Sequence, residues 1–154
     1  MMTFDDKGNL FPYELLRSDI TSIAEHLSGN SRRNRLLTLF SQYVNELSTT
    51  LACSFEQLVG GSFVNCKAQP NDIDVANLII LPDPDDELIE AIMPFLTLGG
   101  SLETFRVDGH LIPVYHKSDE RYANTVARIA YFRKWFGADR NDQPRGILHL
   151  THDV

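Results

Sequence analysis

Apolar positions along the chain follow two different periods. From Ser31 onward, Leu36, Leu37, Phe40, Tyr43, Val44 and Leu47 recur three and four residues apart, the spacing of one helical face that has to be buried. The opposite face is expected to carry Arg32, Arg33 and Arg35 near the helix start. Helical spacing returns over Tyr122 to Phe136, with Val126, Ile129, Ala130 and Arg133 at helical intervals and Gly137 following as a stop. Between these helices the pattern becomes that of strands. Phe55 to Val59 reads as a short strand running into the Gly60-Gly61-Ser62 turn. Asp72 to Leu81 is a near-continuous apolar run, as expected of a strand covered on both faces.

The remaining segments fit around this frame. Residues 1 to 20 read as an extended lead-in, followed by a short helical stretch over Thr21 to Leu27 that Gly29-Asn30 ends. Asp83-Pro84-Asp85-Asp86 announces another helix: Asp83 suits the cap, Pro84 the first helical position, and the acidic side chains the positive end of the dipole. Pro94 limits or kinks that helix. Thr104 to Tyr115 is again strand-like, interrupted by Asp108-Gly109. Strands and helices thus interleave, which predicts an α/β or α+β domain with a small mixed sheet flanked by helices, occupying the whole of residues 1–154.

Composition narrows the functional classes. A chain of 154 residues with 43% apolar and 23% charged residues is an ordinary globular domain rather than a disordered one. Its formal net charge of -7 argues against a uniformly basic nucleic-acid binder and leaves room only for a local basic patch. No apolar run approaches the roughly 20 residues that span a bilayer, and MMTFDDKGNLF lacks the order of a signal peptide, so a cytoplasmic protein with no membrane partner is expected. Cys53 and Cys66 stand outside any metal-ligand spacing and read as reduced and structural. His149 and His152, in HLTHD, read as a surface tail. Arg128, Arg133 and Lys134, with Arg140 and Arg145 after them, read mainly as a solvated face, some of it within reach of an anion.

The stretch VGGSFVNCKAQPNDIDVANLI, residues 59 to 79, carries the candidate chemistry. Residues two apart in a strand share a face, so Asp72 and Asp74 present their carboxylates side by side while Ile73 and Val75 point into the core. Two anions so close repel, and burial raises their pKa values unless a cation offsets the repulsion. Hard carboxylate oxygens suit Mg²⁺, which also accepts oxygens from a substrate's phosphates. Upstream, the glycines let backbone N–H groups approach a phosphate and the Ser62 hydroxyl adds a donor.

A strand, Gly-Ser, nine residues, Asp-x-Asp and an apolar strand, in that order, resemble the DNA polymerase β-like nucleotidyltransferase superfamily. The matching residues are Gly61, Ser62, Asp72 and Asp74. The wider layout, FPYELLRSDI, SRRNRLL, GGSFV, QPNDIDV, FRVDGHLIPVY and KWFGADRNDQPRGILHL, resembles a small bacterial branch of that superfamily along nearly the whole chain. The resemblance implies a nucleotidyltransferase-like core and a two-metal Mg²⁺ site that transfers a nucleoside monophosphate from a nucleoside triphosphate such as ATP to a protein or RNA acceptor, releasing pyrophosphate. Gly61 and Ser62 would hold the triphosphate, and Asp72 and Asp74 would bind Mg²⁺. A third acidic residue on a neighbouring strand completes such sites, to bind the second metal or draw the proton from the attacking hydroxyl. Asp108 is the candidate, because FRVD sets Phe105 and Val107 on one face and Arg106 and Asp108 on the other. The competing reading makes Asp108-Gly109 a hairpin turn. Small stand-alone members resemble toxin–antitoxin components, enzymes that modify tRNA ends, or antibiotic adenylyltransferases. A partner toxin and a homo-oligomer are compatible with this size. The alternative is an antitoxin or regulatory module that keeps the fold and acts by binding a partner protein.

Overall fold

A computed structural model describes residues 2–66, 69–81 and 86–153. The long apolar stripe forms a helix, α2 (Ser31–Leu51), which follows the shorter α1 (Ile20–Leu27). Each starts on a side-chain cap: Asp19 accepts from the Ser22 N–H at 2.7 Å, and Asn30 from the Arg33 N–H at 2.9 Å. The extended lead-in contains a two-stranded antiparallel pair, β1 (Thr3–Phe4) and β2 (Leu10–Phe11), before β3 (Leu15–Ser18) enters the main sheet. That sheet also holds β4 (Phe55–Gly60), β5 (Ile73–Ile80), β6 (Val107–Val114) and β7 (Ile147–His152), in the order β3-β7-β4-β5-β6. β3 runs parallel to β7, and β5 parallel to β6, while β4 is antiparallel to both its neighbours. The result is a mixed sheet with helices on both faces, the α+β architecture that the interleaved pattern predicts.

Alternation along the strands sorts side chains between two layers. Val59, Ile73, Val75, Ile79 and Val107 pack with the apolar stripe of α2, while Leu58, Ala76 and Ile112 pack with Phe132 and Phe136 of α5 (Tyr122–Phe136). On the α2 side a buried polar network ties the central strands together. Gln57 donates to the Asn77 side-chain amide oxygen at 2.8 Å, Asn77 donates to the Tyr43 hydroxyl at 2.8 Å, and Tyr43 donates to the Phe95 backbone carbonyl at 2.6 Å. These groups satisfy one another in the core, and any slip in strand register would strand them without partners.

Several expectations are corrected. Asp108-Gly109 is no turn: both residues lie within β6, opposite Asp74 and Val75. A Cβ on Gly109 would stand 2.2 Å from the Phe95 carbonyl oxygen, so this glycine serves close packing rather than chain reversal. Thr104 and Phe105 belong to α4 (Ser101–Phe105), a single helical turn, and the strand begins only at Val107. The HLTHD segment is not a surface tail but part of β7, seated between β3 and β4 with Leu148 and Leu150 buried. His149 Nε2 lies 2.6 Å from Glu56 Oε1, and His152 Nε2 lies 2.7 Å from Gln57 Oε1. Cys53 and Cys66 are free and both exposed, so neither has a structural place in the core. Asp83, Pro84 and Asp85 fall outside the described residues. Asp86 and Glu87 occupy the first turn of α3 (Asp86–Ile92), which ends before Pro94 in a 3₁₀ turn over Met93–Phe95. Among the described residues no helix is long and apolar enough to cross a membrane.

Candidate active site

Antiparallel pairing of β4 with β5 sets Gly60 opposite Asp74, and parallel pairing of β5 with β6 sets Asp74 opposite Asp108. Alternation turns both aspartates to the α5 side, away from Ile73, Val75 and Val107. Asp72 precedes the strand by one residue. The carboxylates interact: burial raises the Asp74 pKa to about 7, reinforced by the charges of Asp72 and Asp108 and by a side-chain hydrogen bond with Asp108. Asp72 is also raised, first by burial and then by Asp108, with Arg106 pulling the other way. The Thr97 hydroxyl contacts Asp108 Oδ1 and lies 3.1 Å from the Gly109 carbonyl, tying the 3₁₀ turn Thr97–Gly99 to β6.

The Gly60-Gly61-Ser62 turn closes over this pair. Gly60 lies against the ring of Phe136, where a Cβ would come within 2.6 Å. Gly61 holds φ at +77°, and a Cβ there would stand 1.9 Å from Asp74 Oδ2. Only glycine permits that backbone to lie against the carboxylate. Ser62 opens a 3₁₀ turn, Ser62–Val64, and is exposed at the mouth of the site. Arg33 supports that turn from beneath: it donates to the carbonyls of Leu27 at 3.1 Å and Phe63 at 2.8 Å, and to that of Asn65. Arg33 is therefore buried and not part of the polar face of α2. Its three carbonyl partners explain why a cation sits there, since a guanidinium offers several donors in a fixed fork.

A cleft of about 990 Å³ opens in front of Gly61, Ser62, Asp72 and Asp74, bounded opposite by α5 and the loop after it. The fully buried Asn9 links the two walls, accepting from Asn65 Nδ2 at 2.7 Å and donating to Asp139 Oδ2 at 3.0 Å. Lys134, Arg140 and Arg145 bring positive charge to the far wall, and Tyr131 and Trp135 bring exposed aromatic faces. Arg145 is anchored by donating to the Phe136 carbonyl at 3.0 Å and lies close enough to Asp74 to moderate its pKa. Of the basic residues read as a solvated face, Arg128 remains on the surface, over Phe132, while Lys134, Arg140 and Arg145 belong to the cleft.

The model of DUF6932, a family of unknown function, matches residues 2–151. The chain belongs to this family. No curated protein and no solved structure matches it.

In this DUF6932 chain the donor set suits Mg²⁺. The carboxylates of Asp72, Asp74 and Asp108 offer hard oxygens, and burial, reinforced by the neighbouring negative charges, makes Asp74 resist ionisation near neutral pH. Among the described residues no group of three or more His, Cys, Asp or Glu side chains is placed to hold a metal ion. Mg²⁺ does not require one, because it is usually held by one or two carboxylates with water and substrate phosphates completing the shell. Sequence reasoning missed His110, whose ring packs between Phe132 and Trp135 and whose Nε2 lies 3.4 Å from Asp108 Oδ1, too long for a good hydrogen bond. It also missed Thr97, Tyr131 and Trp135. His110 was open to discovery, since it follows Asp108 by two residues and shares its face once β6 is continuous. Thr97 had no such signal, because it arrives from a 3₁₀ turn.

Proposed function

We propose that this protein is a Mg²⁺-dependent nucleotidyltransferase that moves a nucleoside monophosphate from a nucleoside triphosphate to a protein or RNA acceptor, as the resemblance of GGSFV and NDIDV implies. The observation that carries the reading is the row Gly61–Asp74–Asp108, in which a glycine turn abuts one carboxylate and the next strand supplies another in register. In this reading Asp72 and Asp74 would bind Mg²⁺, and Asp108 would complete a two-metal site. Mg²⁺, when bound, neutralises the carboxylates and draws electron density from the phosphate under attack.

The chain's own groups divide the remaining work. Gly61 and Ser62 offer backbone and hydroxyl donors to phosphate oxygens, and Lys134, Arg140 and Arg145 balance the triphosphate charge from the opposite wall. Tyr131 and Trp135 present flat faces on which a base can stack. Asp108 accepts the proton of the acceptor hydroxyl as the new phosphoester bond forms and pyrophosphate departs. A cleft of about 990 Å³ has the volume for such a substrate. In this reading the activity would draw on the cytoplasmic pool of nucleoside triphosphates.

Two measurements test the reading. Mg²⁺ and ATP together should raise the melting temperature beyond either alone, because ligands selective for the native state stabilise it by mass action. Incubation with each α-³²P-labelled nucleoside triphosphate, Mg²⁺ and a cell lysate should label one class of macromolecule. Equal melting curves with and without both ligands at millimolar concentration, together with no labelling, would favour the antitoxin or regulatory module that acts by binding a partner protein.

A further inference from the structure

A second pocket, of about 250 Å³, is lined by Arg32, Arg35, Leu36, Asn71 and Arg106. Asn71 lines both cavities, so the two meet at the residue next to Asp72. Arg32 donates to Asn71 Oδ1 at 3.2 Å. Among the described residues none of these three arginines forms a salt bridge with a carboxylate. Three exposed guanidinium groups thus gather at one spot on a chain whose net charge is -7.

Two features show that folding does not favour this gathering. Arg32 and Arg35 occupy the beginning of α2, whose first turn holds no acidic residue. A cation at Arg32, in that first turn, opposes the positive end of the helix dipole. Arg106 caps α4 in the left-handed region, with φ 56° and ψ 33°, and its carbonyl accepts the Ile73 N–H at 3.0 Å. Glycine or asparagine adopts that conformation with less strain, yet an arginine stands there. All three side chains line one pocket, which Asn71 joins to the cleft beside the carboxylates.

We infer that Arg32, Arg35 and Arg106 form an acceptor site for the 3′-terminal phosphodiester of a single-stranded polynucleotide, whose terminal hydroxyl then reaches Asp72 and Asp108. This rests on the nucleotidyltransferase reading and specifies its acceptor. Planar guanidinium groups match phosphate oxygens in pairs, and clustered arginines suit a repeating phosphate chain better than the isolated carboxylates of a protein acceptor. The two cavities share Asn71, the residue before Asp72, so a phosphate held by the arginines is next to the carboxylate row. Transfer then forms a bond from this oxygen to the α-phosphorus of the triphosphate, breaks the bond to pyrophosphate, and leaves the hydroxyl proton on Asp108.

Fluorescence anisotropy with 5′-labelled 12-nucleotide single strands tests the site, with RNA and DNA as separate arms to show whether the ribose 2′-hydroxyl is read. Arg35→Gln, Arg32→Gln and Arg106→Asn, the last keeping the left-handed cap, should each weaken binding about fivefold or more and flatten its salt dependence by about 0.7 in log–log slope. Circular dichroism melts of the same variants show whether they are folded. Affinities equal to wild type in all three folded variants would overturn the inference, as would labelling of a protein rather than a nucleic acid in the lysate. Failure of the parent reading looks different: the wild type would bind the oligonucleotide through these arginines and yet gain no stability from Mg²⁺ with ATP.

Discussion

Asp74 and Asp108 are direct register partners on adjacent parallel strands, and both turn toward the α5 layer. Chain segments more than thirty residues apart thereby deliver two carboxylates to one place. A turn aspartate at position 108 would have no such neighbour.

This pairing makes Asp108→Asn a discriminating substitution. The amide keeps the size and the contact with Thr97 but loses the charge that binds metal and accepts a proton. Transfer of label from α-³²P-ATP should fall by about 100-fold or more, the scale of a lost general base. In a hairpin turn the same change would have been nearly silent. Activity within twofold of wild type removes Asp108 from the site.

Legibility from sequence divided along physical lines. Helix α5 lies at Tyr122–Phe136 and ends at Gly137 as predicted, and β4 and β5 agree with their predicted spans to within a residue or so, because local periodicity and punctuation encode them. The Asp72 and Asp74 pair was legible for the same reason, as strand geometry fixes which side chains share a face, whereas the approach of Gly61 to Asp74 depends on the pairing of β4 with β5. Contacts across the sheet were not. HLTHD looked like a tail because a short strand inserted between β3 and β4 draws its stability from neighbours that no local pattern reveals. Arg33 looked like surface because its partners are backbone carbonyls at Leu27, Phe63 and Asn65, which leave no trace in residue identity. The cleft wall of Tyr131, Trp135 and Arg145 was hidden likewise, since α5 meets β4 and β6 only in three dimensions.

The raised pKa of Asp74 predicts how ligand-free stability depends on pH. Its folded value is about 7 against an ordinary value of 3.8, so between these values the native state holds a proton that the unfolded state has released. Stability is fully present below about pH 4 and falls as pH rises toward 7. Asp74→Asn cannot ionise and should escape this loss, melting on the order of 5 °C above wild type at pH 8 and close to it at pH 4. Thermal melts of both proteins across that range, without metal, provide the comparison. Parallel melting curves at every pH would show that Asp74 is not under strain from its neighbours.

Gly61→Ala should damage both stability and binding. The new Cβ would stand 1.9 Å from Asp74 Oδ2, on a backbone at φ +77°, so either the turn or the carboxylate must move. A cost of roughly 1–3 kcal/mol is expected from the strained conformation, with stabilisation by Mg²⁺ and ATP lost. Gly109→Ala separates the two effects, since its Cβ would meet the Phe95 carbonyl at 2.2 Å on the opposite side of the sheet. That variant should lose stability by steric clash and, where folded, retain a ligand-induced shift in melting temperature. If Gly61→Ala keeps the full ligand-induced shift, the turn does not hold phosphate.

Trp135 is the chain's single tryptophan, and it lies partly exposed on the wall of the cleft. Its fluorescence therefore reports on that wall alone. A base stacked on the indole should quench the emission when ATP is added with Mg²⁺, and the titration gives an affinity directly. Stacking is worth about 1–3 kcal/mol per base, so Trp135→Ala should weaken nucleotide binding by about tenfold when read by calorimetry. The ring also touches His110, Phe132 and Phe136, and its removal loosens that packing. Trp135→Phe restores an aromatic face at the same position and should recover most of the affinity. If Trp135→Phe and Trp135→Ala bind nucleotide equally, the indole contributes packing and no stacking. Emission unchanged at saturating ATP and Mg²⁺ would place the base elsewhere in the cleft, against the shelf that Tyr131 and Trp135 form.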